Sequence, residues 1–372
     1  IRAIATSLRQ LSAEDRSLEA REVIEVTEGA QAQEPVPLAE RSRLANMIAT
    51  GKFVATVELA PPQGWNLRRI LKSATTVHYA GFDAINIPDG PRASARMGPL
   101  AMGTVIQREV GIETLMHYAC RDRNLVGMQS DLLGAYALGM RNLLCLTGDH
   151  QQFGNHPTAK NVFDIDSVQL VQMVAAMRDD RVFQCGDGFE GQEPRFFVGA
   201  AAAPFADPAD YRPYRLAKKV AAGANFIQTQ LIYDVPAFAG YMEKVRELGL
   251  HTKTYILAGI GPLKSPGMAR YMVKNVPGLL VPDPLIERMT GAGAEWAGKS
   301  KDELTPEDKK ARAAAWKEEG IRICIELIEQ IREIEGVAGV HIMAIEWEEA
   351  VKPIVEGAGL LPRPVLEEAP AT

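Results

Sequence analysis

Between residues 53 and 345 the chain repeats one pattern eight times: a short apolar run that ends in polar or glycine-rich residues, then a stretch with helical spacing. The runs are 53–59, 82–87, 112–119, 142–147, 195–203, 225–230, 252–258 and 340–345. Short apolar runs bounded by glycine and proline read as buried strands, and the segments between them as the crossovers that parallel pairing requires. Because such crossovers are right-handed, eight of them return the chain to its start and close an α/β (β/α)8 TIM barrel. An open doubly wound sheet would place G-x-G-x-x-G after the first strand, and TVELAPP stands there instead.

Punctuation supports the pattern. Asn66 is expected to cap a helix that runs to Ala80 and stops at Gly81, and Asp166 to open another. An insertion is expected between strands 7 and 8, over 277–312, containing KSKDELTPEDKKAR. There Thr305, Pro306 and Asp308 have the order of N-cap, N1 and N3 of the amphipathic helix that follows. Three segments are expected: an N-terminal extension over 1–45, with a helix from Ile1 to Leu11 and the linker AQAQEPVPLAE; the barrel over 46–363; and a tail over 364–372.

A length of 372 residues alone suggests two domains, but a closed barrel uses roughly 250 or more as one. The net charge of −6, with both signs interspersed, leaves no footprint for nucleic acid or an anionic membrane, so a small molecule is the expected partner. No apolar run approaches the roughly 18 residues of a membrane span and no signal-peptide core opens the chain, which reads as cytoplasmic. Cys120, Cys145 and Cys324 lie in apolar runs and read as core thiols, and Cys185 lies in a loop; no C-x-x-C or H-E-x-x-H occurs, so no metal is expected.

Closing the barrel would bring the strand ends to one mouth: Glu58, Asn86, Asp89, His117, Thr147, Gly148, Asp149, Gln230 and Glu346. Glu58, between Val57 and Leu59 and ahead of Pro61-Pro62, is expected to be desolvated, with its pKa raised so that it holds a proton to donate. Asp149 follows a glycine that allows close backbone approach. Singly, each type has an ordinary structural use: a carboxylate caps a helix, a histidine fills a core, and Lys219 in KKVAAGA is a solvated helix residue. Their convergence is what argues for chemistry.

The segments TVELAPP, HYACRDRN, QSDLLGAYALGMRNLLCLTGDH, KKVAAGANFIQTQLIYD, AGIGPL and VPGLLVPD, in that order, resemble the 5,10-methylenetetrahydrofolate reductase family. The particular resemblance is to the reductase part of bifunctional members fused behind a homocysteine S-methyltransferase domain, with IRAIATSLRQ similar to that domain's tail. The resemblance implies a homo-oligomer with FAD in the barrel mouth, reduced by NADH or NADPH, that then reduces methylenetetrahydrofolate to 5-methyltetrahydrofolate by ping-pong hydride transfer. It makes Glu58 the general acid and Asp149 the carboxylate at the junction of flavin and pterin. His117, Thr147, Gly148, Asp164 and Lys219 become flavin contacts, the lysine at the pyrophosphate, and Gln230 a folate contact.

Three departures stand out. IPDGPRASARM replaces a Thr-Tyr-Gly loop near Asp89, alanines at 200–203 replace an aromatic, and Met272 stands at a stacking position, leaving Tyr271 as the substitute folate contact. An accessory folate- or flavin-binding barrel served by a separate electron donor is the alternative. A Schiff-base aldolase would need a lysine at a strand end, which none of the eight runs has.

Overall fold

A computed structural model describes residues 36–299, 303–345 and 347–363. Eight parallel strands pair in sequence order and close: β1 (Val54–Glu58), β2 (Ala84–Ile87), β3 (Glu113–Ala119), β4 (Asn142–Leu146), β5 (Phe197–Ala202), β6 (Phe226–Leu231), β7 (Tyr255–Ile260) and β8 (Val337–Ile342). β1 pairs with both β2 and β8, so no strand edge is left open. This is the α/β barrel expected from the repeating pattern.

The floor is plugged by α1 (Arg43–Ala49), whose buried Leu44, Met47 and Ile48 pack under Val54, Leu115, Leu144, Phe197, Phe226 and Leu257. Ser42 caps the helix by accepting from the Ala45 amide, and the Glu113 carboxylate accepts from the amides of Arg43 at 2.8 Å and Leu44 at 2.9 Å. Phe197 and Phe226 stack here with centroids 4.6 Å apart. Gly199 makes room for them, since a Cβ there would lie 2.1 Å from the Phe226 ring. With the floor filled, the barrel interior opens at the C-terminal strand ends. The compact unit that contains the barrel begins at Val36.

Around the strands run α2 (Arg68–Tyr79), α3 (Pro99–Val110), α4 (Leu125–Ala137), α5 (Ser167–Asp179), α6 (Arg212–Ala221), α7 (Val235–Glu247), α8 (Pro266–Asn275), α9 (Asp283–Gly291), α10 (Pro306–Arg332) and α11 (Val351–Gly357). Asp166 and Gln169 form a capping box on α5, and Thr305 and Asp308 form one on α10. Asn66 accepts from the Arg68 amide at 3.0 Å, beside the start of α2. Cys120, Cys145 and Cys324 are buried, and Cys185 is exposed.

Two strands differ from expectation. β7 starts three residues late because Leu250–Thr252 forms a 3-10 turn, and β8 starts three residues early. The position of β8 is set by its two neighbours, which pair Thr56 and Gly259 with His341, rather than by its own apolar run. That register puts His341 inside the strand, facing the mouth. The 1–11 helix, the linker up to residue 35, Glu346 and the 364–372 tail lie outside the described residues.

Candidate active site in the barrel mouth

On β1, Thr56 and Glu58 are two residues apart and so face the same side of the strand. Opposite them on β8 is His341, fully buried. Its Nδ1 lies 3.0 Å from Thr56 Oγ1, and its Nε2 lies 3.8 Å from Glu58 Oε2. The second contact is an ion-pair approach just beyond direct hydrogen bonding, so Nε2 is a buried atom without a hydrogen-bond partner. On β3, His117 Nε2 pairs with Asn86 Oδ1 at 3.0 Å, while Asn86 Nδ2 is unpaired. Amide oxygens only accept, so a neutral His117 carries its proton on Nε2 in this contact.

Electrostatics corrects one expectation. Burial does push the Glu58 carboxyl upward, but the imidazoles of His341 and His117 outweigh it and draw the group below the ordinary carboxylate value. Neither histidine is near Glu58 in sequence, which is why its local context pointed the other way. His117 is itself pulled down to about 4, chiefly by burial, and is neutral near pH 7.

These groups border a cavity of about 390 Å³ at the C-terminal strand ends. Of the residues singled out in the sequence, Glu58, His117, Thr147, Lys219 and Gln230 line it. Thr147 Oγ1 accepts from the Ser167 amide at 3.0 Å, which ties β4 to α5. Lys219 Nζ donates to the Ala201 carbonyl at 2.5 Å, and burial followed by Arg215 lowers its pKa to about 8. The alanines at 201–203 line the same cavity, where their small side chains leave space rather than a stacking ring.

The other four site residues are placed elsewhere. Gly148, at φ +90°, makes the turn beside Ala119 and Arg121, and Asp149 is exposed at the rim with no side-chain hydrogen bond or ion pair among the described residues. Asp164 is exposed and accepts from the Leu125 amide at 3.0 Å, at the start of α4. Tyr271 is 58% exposed on α8 and outside the cavity. Asp89 is engaged by Arg123 at 2.8 Å and the Ala119 amide at 3.0 Å, so it braces the β2 and β3 ends against each other.

Four titratable residues in or beside the cavity escaped the sequence reading, His341, Arg212, Arg215 and Tyr241, as did the lining amide of Gln228. Arg212, Arg215 and Lys219 recur at helical spacing in YRPYRLAKK, a signal that was present. Nothing local marks His341 or Tyr241, which enter through barrel closure.

Fold and mouth together define a (β/α)8-barrel protein with titratable groups gathered around a ligand-sized cavity. A profile of the methylenetetrahydrofolate reductase family matches residues 43–359, and the chain belongs to that family. Methylenetetrahydrofolate reductase 1 of Schizosaccharomyces pombe is 27% identical over 264 residues, covering 69% of this chain and 37% of the relative. The probable methylenetetrahydrofolate reductase (NADH) of Oryza sativa is 25% identical, covering 86% of this chain and 50% of the relative. The chain thus spans half or less of each of these two curated relatives.

Among solved structures, an uncharacterized Clostridium thermocellum protein that binds two copies of 5-methyl-5,6,7,8-tetrahydrofolic acid aligns with a TM-score of 0.56 at 12% identity, over 85% of this chain and 98% of that one. The coenzyme F420 dependent tetrahydromethanopterin reductase of Methanopyrus kandleri aligns with a TM-score of 0.50 at 13% identity, over 82% and 97% of the two chains. At these identities the likeness is one of fold. Among the described residues no helix is long and apolar enough to cross a membrane.

Proposed function

We propose that this chain is a flavin-dependent reductase barrel that converts 5,10-methylenetetrahydrofolate to 5-methyltetrahydrofolate with NADH or NADPH as the electron source. The observation that carries the reading is the meeting of Glu58, His117, Lys219 and Gln230 around one cavity in a member of this family. The cavity also suits FAD. Among its lining residues, buried Gln228 Oε1 and Tyr241 Oη have no partners, Lys219 supplies a cation, and alanines leave room for a flat ring.

A bound flavin would supply the two-electron transfer between nicotinamide and folate. The chain's own part is protonation and positioning. Glu58 delivers a proton to the nitrogen that leaves as the folate's imidazolidine ring opens, drawing it from the pair it forms with His341, which Thr56 holds from behind. Gln230 offers its amide to the pterin edge. Asp149 presents a fixed negative charge at the rim toward the cationic folate.

The test is an anaerobic assay of the two half-reactions. Protein reconstituted with FAD should be yellow, bleach with NADH or NADPH, and regain colour with methylenetetrahydrofolate. Protein that takes up no flavin refutes the reading. Protein that binds flavin but is bleached by neither nicotinamide supports an accessory barrel with a separate donor.

A further inference from the structure

β6 carries a second glutamine below Gln230. Gln228 pairs with Ala201 on β5 and Leu257 on β7, and its side chain shares their inward face. It is 5% exposed and lines the mouth cavity, deeper in the strand than half-buried Gln230. Pairing with β7 shifts register between Gln228 and Leu231, where Thr229 Oγ1 accepts from the Gly259 amide at 2.9 Å. Bulges re-aim side chains, and at this one Gln228, Thr229 and Gln230 all line the cavity.

The two amides are not equivalent. Gln230 Oε1 accepts from the Leu231 amide at 3.0 Å, so that side chain meets a ligand mainly as a donor. The Gln228 side chain makes no hydrogen bond among the described residues, and its Oε1 is buried without a partner. Its neighbours across the sheet, Ala201 and Leu257, have apolar side chains and can supply none. A buried carboxamide in this place costs stability unless a bound molecule completes it.

A carboxamide sets an acceptor beside a donor, which complements a ring N–H beside a ring C=O. Isoalloxazine and pterin both have such a lactam edge. Depth separates them: with Gln230 meeting the pterin, the deeper amide meets the ring seated below it. We propose that Gln228 reads the lactam edge of the flavin, accepting from the ring N3–H through Oε1 and donating to an adjacent carbonyl through Nε2. The assignment rests on the function proposed above. It makes Gln228 a determinant of cofactor specificity whose acceptor Gln230 does not replace.

The test pairs a change in the protein with a change in the ligand. Flavin-free wild type and Gln228→Leu are titrated with FAD and with its N3-methyl analogue, followed by flavin fluorescence, and both proteins are melted without ligand. Wild type should hold FAD about tenfold more tightly than the analogue, and Gln228→Leu should bind the two alike. The flavin-free variant should melt at or above the wild-type temperature, because an unpaired amide is gone. Gln228→Met, also apolar and of similar length, gives the same reading should the leucine variant not fold. Leucine keeps the bulk of the side chain, so a preference that survives in it is steric and overturns the assignment. Equal loss of both flavins would place the amide on another part of the cofactor, and unchanged FAD with weakened folic acid on the FAD-loaded protein would place it on the pterin; either overturns the assignment. A variant that melts well below wild type would make Gln228 a residue of the fold and do the same. Wild type that takes up no flavin refutes the reductase and the assignment together, whereas wild type that holds both flavins equally overturns the assignment alone.

Discussion

His341 Nε2 stands 3.8 Å from Glu58 Oε2, joining the last strand of the barrel to the first across its mouth. The imidazole is fully buried, and its other ring nitrogen is occupied by Thr56. The carboxyl proposed to protonate folate is therefore one end of a three-residue chain and not an isolated acid in an apolar pocket.

Glu58→Gln keeps the shape of the side chain and removes its capacity to take up and deliver a proton. The folate half-reaction should slow by about 10²–10⁴-fold, the range of a lost general acid, while flavin reduction by nicotinamide stays near wild type. Stopped-flow traces of the two half-reactions decide the matter; equal loss in both would reject the acid role.

The imidazoles draw the Glu58 carboxyl downward against burial, so it is mostly ionised near neutrality and the folate half-reaction should quicken as pH falls from 8 toward 6. In His341→Asn the main downward influence is gone and burial dominates. The pH–rate midpoint should move upward. A midpoint that stays in place would separate His341 from the proton.

His117 gives stability its own pH dependence. Its folded pKa is lowered from 6.5 to about 4, so between those values the unfolded chain binds a proton that the folded chain does not. This contribution is complete above pH 6.5 and is lost as pH falls toward 4, by at most about 3 kcal/mol. Glu58, with its lowered pKa, loses stability in the same direction on acidification. Urea unfolding of His117→Gln at pH 7 and pH 5 should show a smaller difference than wild type; an unchanged difference would contradict the shift.

Gly320 lies within α10, where alanine would ordinarily add about 1 kcal/mol. Here a Cβ would fall 1.8 Å from the Leu263 carbonyl oxygen, backbone that cannot swing aside. Gly320→Ala should instead destabilise by about 1–3 kcal/mol through overpacking, read from the urea midpoint. A more stable variant would show that α10 does not press on the loop after β7.

Much of the architecture was legible along the chain because its signals are local. Capping residues such as Asp166 and Thr305 bond to amides within three positions, and the apolar runs recur with crossover lengths between them. Strand register was less legible. β8 slides three residues from its apolar run because hydrogen bonding to β1 and β7 outweighs its own composition. In the mouth, Glu58, His117, Thr147 and Gln230 could be nominated from strand ends and Lys219 only from the family resemblance, and all five line one cavity. Asp164 and Tyr271 have the right residue types, yet one meets the start of α4 and the other faces out from α8.

The sequence by itself determined the barrel, the order of its strands and the family, because periodicity, caps and contiguous motifs are properties of neighbouring residues. Only the tertiary structure decided the electrostatic state of Glu58 and the company of Lys219. Both depend on charges that come close through closure of the sheet and rotation of α6, and Coulomb interactions follow distance in space, not separation along the chain.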